Sequence, residues 1–94
     1  MATTATGTVS IRNRLGMHAR PAMMFVETAC KHQATIRIGR VDNPAEKLDG
    51  KSIMQVMMLA ATQGTGIVIE AAGVDADDAL KSLVELVESG FGED

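Results

Sequence analysis

One segment of the chain combines a potential nucleophile with the means to hold an anion: Gly16-Met17-His18-Ala19-Arg20-Pro21. His18 stands where a glycine-containing loop gives way to a helix. Pro21 suits the first turn of that helix, where its missing N–H would have had no acceptor. The opening amides, those of Ala19 and Arg20, lack intrahelical partners, and with the positive end of the helix dipole they form an anion site. The Arg20 guanidinium adds a planar, permanently charged fork matched to phosphate oxygens. The same field disfavours imidazolium, and a neutral ring is the nucleophilic form. Such a segment can receive a phosphoryl group, hold it and release it. A lone histidine at a helix start is otherwise a cap or a surface residue, and spacing alone leaves both readings open.

A second segment of interest is Lys51-Ser52-Ile53-Met54. Ser52 followed by Gln55 is a capping-box pattern, and a helix cap is a complete role for this serine. On the short helix after it, Val56 and Leu59 face inward and Ile53, Met54 and Met57 outward. Met17 and Met24 extend that outward patch, while Met23 and Met58 fill an aromatic-poor core. Adaptable thioethers suit a surface that meets several partners in turn. Other motifs fall away. Gly50-Lys51-Ser52 resembles the end of a P-loop, but the first glycine would fall at position 45, which is Ala45. Two histidines and one cysteine give no metal-ligand spacing, so no metal site is expected. His32 falls near a helix C-terminus, where a cation is favourable. Cys30, at an apolar helical position, is read as buried and inert, and as the only cysteine it excludes an intramolecular disulfide.

The elements that position these residues follow from periodicity. Thr8 to Arg12 alternates and reads as a strand; Ala19 to Lys31 has helical spacing; Ala34 to Ile38 alternates again. Gly39 to Pro44 reads as a hairpin connection, with Asp42-Asn43-Pro44 as turn material, before a short strand at Glu46 to Leu48. Ser52 to Leu59 is a short helix and Ile67 to Ala71 a strand. Ala76 to Glu88 is an amphipathic helix led in by acids. The order β-α-β-β-α-β-α predicts an α+β two-layer open-faced sandwich, with a four-stranded sheet and three helices. One domain over 1–94 is expected, with residues 1–6 and 90–94 as loose tails.

Composition narrows the classes. The 94 residues are 46% hydrophobic and 22% charged, ordinary for a globular domain, but Phe25 and Phe91 are the only aromatics. A net charge of −3 and the absence of stacking platforms argue against nucleic-acid binding. The opening residues lack a signal-peptide pattern, and no apolar run reaches the roughly 18–20 residues of a membrane span. A cytoplasmic chain with no membrane insertion is expected.

From Asn13 to Ala22 the chain resembles the active-site signature of the HPr family, phosphocarriers of the phosphoenolpyruvate-dependent phosphotransferase system. The resemblance runs from about Thr8 to Glu88. It implies a stoichiometric carrier rather than an enzyme: His18 phosphorylated on Nδ1 by phospho-enzyme I, and the group passed to an enzyme IIA protein in sugar uptake and its regulation. Arg20 would balance the phosphoryl charge, and Gly16, Ala19 and Pro21 would shape the supporting loop and helix start. Lys51 to Met58 resembles the regulatory-serine region, which implies Ser52 as a target of an HPr kinase/phosphorylase. No cofactor is implied, and carriers of this kind are expected to be monomeric. The connection over Val41 to Asp49 departs from the family by its length and by Pro44. The Gly16 to Met23 run and the ending Ser89 to Asp94 resemble the nitrogen-related NPr branch, a regulatory alternative to the sugar-type reading. A regulatory protein-binding module without phosphotransfer is the alternative of another class.

Overall fold

The computed structural model describes residues 3–93. Its elements are β1 (Thr3–Ser10), α1 (Ala19–Cys30), β2 (Thr35–Arg40), β3 (Asn43–Asp49), α2 (Ile53–Met58), β4 (Gly66–Gly73) and α3 (Ala76–Glu88), closed by a 3-10 turn over Gly90–Gly92. The strands form one antiparallel sheet in the order β1-β4-β2-β3. This is the predicted α+β sandwich, a four-stranded antiparallel sheet with three helices.

Strand period sorts the sheet into two faces. Val9, Ile36, Ile38, Ile67, Ile69 and Ala71 are buried, whereas Thr8, Ser10, Thr35 and Arg37 between them are exposed. The register stacks the buried set directly, with Val9 opposite Ile67, Ile36 opposite Ala71 and Ile38 opposite Ile69. Helix α1 adds Ala22, Phe25, Val26 and Ala29, and α3 adds Ala79, Leu83 and Val87, to the same core. Phe25 is fully buried in it, and removing such a ring costs about 3–5 kcal/mol.

Several expected boundaries move. Strand β1 begins at Thr3, because pairing with β4 runs on from Ser10–Gly66 to Thr3–Gly73. The stretch from Thr3 to Thr6 is therefore paired sheet rather than loose tail, while Met1, Ala2 and Asp94 lie outside the described residues. The β2–β3 hairpin turns over Val41 and Asp42 alone, since Arg40 already pairs with Asn43. Arg40 tightens the turn by donating from Nε and Nη2 to the two carboxylate oxygens of Asp42 at 2.9 Å. Pro44 then falls inside β3, an edge strand, where a missing N–H costs the ladder least.

Cys30 is exposed, contrary to its expected burial. It is the last residue of α1, and the stripe from Ala22 to Ala29 already makes the helix's buried contacts. His32 lies beyond the helix end and turns to Asp75, with Nδ1 3.4 Å from Oδ2. The Asp75 carboxylate also accepts from the Gln33 and Ala34 amides at 2.9 and 2.8 Å. It thereby clasps the α1–β2 connection to the start of α3. These backbone hydrogen bonds, Gln33's foremost, hold the Asp75 carboxyl below its ordinary range.

Candidate functional site

His18 is the N-cap of α1, with extended backbone at φ −83 and ψ −171. Its carbonyl accepts from the Ala22 amide at 3.0 Å and its own N–H donates to the Gly16 carbonyl at 3.0 Å. The loop before it is pinned from below, because the Met17 amide donates to the Ala61 carbonyl at 2.8 Å. Gly16 has φ +72, and a Cβ there would stand 2.5 Å from the Ala61 carbonyl oxygen. Only glycine fits both the left-handed backbone and that approach. Pro21 is buried in the first turn, while Ala19 and Arg20 are exposed. The cap side chain makes no hydrogen bond to the helix start, so it leaves the first amides of α1, those of Ala19 and Arg20, uncapped.

A residue that sequence spacing did not single out completes the site. His18 Nε2 lies 2.8 Å from Glu93 Oε1, across a separation of 75 positions. The same carboxylate oxygen accepts from Asn13 Nδ2 at 2.8 Å, and Nδ2 also donates to the Gly16 carbonyl at 2.7 Å. The His18 and Glu93 side chains are 37% and 19% exposed, so the pair sits at the surface without being fully solvated. Hydrogen bonding from His18 first, then from Asn13, holds the Glu93 carboxyl below the usual carboxylate range. The Arg20 charge adds to this and desolvation opposes it.

The chain end that carries Glu93 is ordered by a buried ring. Gly90, Phe91 and Gly92 all have positive φ, at 67, 57 and 73, and Phe91 is 1% exposed. Left-handed backbone at a non-glycine residue costs of order 1–3 kcal/mol, which burial of the Phe91 ring offsets. The expected loose tail over 90–94 is thus a packed turn as far as Glu93. Pattern could not show this, because no periodicity reaches into a single apolar residue flanked by glycines. An apolar ring between two glycines was the one available signal.

Ser52 caps α2 as expected, with Oγ accepting from the Gln55 amide at 3.3 Å. The capping box is only half formed. The Ser52 amide already donates to the Asp49 carbonyl at 3.2 Å, so Gln55 Oε1 instead accepts from the Asp49 amide at 2.8 Å. Ile53, Met54 and Met57 are exposed on α2, with Met54 at 77%, while Val56 and Leu59 are buried. Met17 does not join them. It is 5% exposed, because the loop that presents His18 turns this side chain into the core. Met24 is half-buried against the core. Met23 and Met58, expected inside, are exposed, and so is Leu15, three positions before His18. The aliphatic residues and two phenylalanines fill the core without them.

A family model described as the PTS HPr component phosphorylation site matches residues 5–89. The chain is 47% identical to the phosphocarrier protein HPr of Pseudomonas aeruginosa, over 90% of this chain and 92% of that protein. It is 41% identical to the phosphocarrier protein NPr of Proteus mirabilis, over 92% of this chain and 93% of that one. Among solved structures, HPr-C-His from Thermoanaerobacter tengcongensis superposes with a TM-score of 0.87 at 41% identity, covering 96% of this chain and 98% of that one.

Proposed function

The chain belongs to the HPr family of phosphotransferase-system phosphocarriers, and on that footing we propose that Nδ1 of His18 is the atom that carries the phosphoryl group. A member of this family is a carrier rather than a catalyst. The observation that supports His18 most is the asymmetry of its ring. Nε2 is engaged by Glu93, while Nδ1 is left to react at a helix start whose first amides, those of Ala19 and Arg20, the cap side chain does not satisfy. Those amides and the Arg20 guanidinium offer donors to the oxygens of a bound phosphoryl group. Gly16 and Pro21 fix the loop and the helix start that bring them together.

Phospho-enzyme I is the donor and an enzyme IIA protein the acceptor in this reading, with the sugar-type branch as its setting. Ile53, Met54 and Met57 are among the exposed apolar residues of α2, and on them such partners dock; Met24 is half-buried and Met17 buried, so they add little to that surface. Ser52, at the head of the same helix, is the site where an HPr kinase/phosphorylase would add a second, regulatory phosphate. Its charge would change the docking surface while the cap geometry persists. The protein works in the cytoplasm as a monomer; among the described residues no helix is long and apolar enough to cross a membrane. A nitrogen-type role is the second reading, favoured by the likeness to the Proteus mirabilis NPr.

Incubation with enzyme I and phosphoenolpyruvate, followed by intact mass, tests the carrier reading. The wild type will gain one acid-labile phosphate and His18→Ala none. A wild type that gains nothing would mean a binding module without phosphotransfer. Running the same reaction with purified sugar-type and nitrogen-type partners separates the branches. Ser52→Asp, unchanged in its acceptance from enzyme I, would remove the regulatory role.

A further inference from the structure

We propose that Glu93 is a positioning residue for phosphotransfer: its carboxylate keeps the His18 proton on Nε2, and then faces the positive charge that the ring acquires when phosphorus bonds to Nδ1. The inference deepens the carrier reading and rests on it.

The geometry supplies the reason. An ionised carboxylate can only accept hydrogen bonds, so at 2.8 Å from Glu93 Oε1 the Nε2 atom must donate. A neutral imidazole with its proton on Nε2 has its lone pair on Nδ1, the nucleophilic position. Without that acceptor, neither tautomer is selected, and part of the population presents a protonated, unreactive Nδ1.

Two further features hold the carboxylate in place. Asn13 is 1% exposed, and its Nδ2 donates both to the Gly16 carbonyl and to Glu93 Oε1, which fixes its amide orientation. Its Oδ1 is buried without a hydrogen-bond partner among the described residues, a cost that only the placement of Nδ2 accounts for. On the other side, the strained turn at Phe91 anchors the chain end in the core, so that Glu93 meets the ring from a fixed direction. His18 therefore has a hydrogen-bonded orienter that is itself oriented, the pattern by which a base or nucleophile is held ready.

The transfer balances as follows. The Nδ1 lone pair forms the N–P bond while the donor's bond to phosphorus breaks and its electron pair leaves with the donor. The proton stays on Nε2, so the ring becomes cationic between the phosphoryl oxygens and the Glu93 carboxylate. In the onward step the acceptor's lone pair bonds to phosphorus and the N–P pair returns to Nδ1, again without moving the Nε2 proton. Retaining that proton makes the ring a better leaving group, because a neutral imidazole departs rather than an anion.

Long-range proton–nitrogen correlation NMR on labelled protein at mildly alkaline pH distinguishes a protonated from an unprotonated ring nitrogen. Paired with it is the initial rate of phosphate acceptance from enzyme I and phosphoenolpyruvate. In the wild type Nε2 will carry the proton. Glu93→Ala will populate both tautomers and slow acceptance about tenfold. Glu93→Gln keeps an acceptor oxygen, and will restore the tautomer and part of the rate. A purely structural tail contact would not give that recovery. Glu93→Ala with the wild-type tautomer, or with the wild-type rate, overturns the proposal. A wild type that takes no phosphate at all sinks the carrier reading and takes this proposal with it, and that failure is visible without any variant.

Discussion

At the scale of single residues the proposed site divides between groups offered to the transferred phosphate and groups that hold them. In that proposal Arg20 is of the first kind. It is exposed, and its charge reaches Glu93 without replacing the His18 contact. A guanidinium free to meet phosphoryl oxygens contributes mainly when that charge is present. Arg20→Ala will therefore slow phosphotransfer by about tenfold or more while leaving partner affinity nearly unchanged. Initial rates at varied carrier concentration separate the two, and a loss confined to affinity would contradict the assignment. The type of residue was legible from the Gly16 to Pro21 spacing. What spacing could not give is the negative partner of the ring, since Glu93 is one acid among several near the chain end.

Among the elements, the loop into α1 carries the tightest constraint. Gly16 must hold φ +72 with its α-carbon against the Ala61 carbonyl. Gly16→Ala meets both a left-handed backbone and a backbone clash, so the loop must shift. It will destabilise the fold by about 1–3 kcal/mol. It will also slow phosphate acceptance, because the displaced loop carries His18. Urea melts and the acceptance assay on one preparation check this, and an alanine variant with wild-type stability would show the contact to be slack. Helix α3 was legible residue for residue, as Ala76–Glu88, because apolar period and leading acids agree there. The hairpin was not. Its Asp42-Asn43-Pro44 composition signals a turn, but the Arg40–Asp42 ion pair and the Arg40–Asn43 pairing place the turn one step earlier.

For the molecule as a whole, two carboxylates join segments that lie far apart in the chain. Asp75 clasps the α1–β2 connection, and Glu93 ties the chain end to the His18 loop. Both carboxyls are held below their ordinary range in the folded state. A group lowered by folding binds fewer protons than in the unfolded chain, so its contribution is complete above the unfolded value of about 4 and is lost as pH falls through the lower folded value. Stability will be flat with respect to these groups between pH ~7 and ~5 and will decline below pH ~4. Thermal melts across that range will show a shallower acid decline in Asp75→Asn, whose clasp no longer titrates. An identical decline in variant and wild type would remove Asp75 from the account.

The α+β layering, the helical and strand periods, and the placing of His18 and Arg20 at a helix start were all determined by local chemistry, because capping, backbone freedom and amphipathic period act within a few residues. The burial of Met17, the exposure of Met23, Met58 and Cys30, and above all the meeting of His18 with Glu93 were decided only in the folded molecule. Those outcomes depend on which surfaces the packed layers cover and on where a buried Phe91 anchors the chain end, and neither is encoded in a short window of sequence.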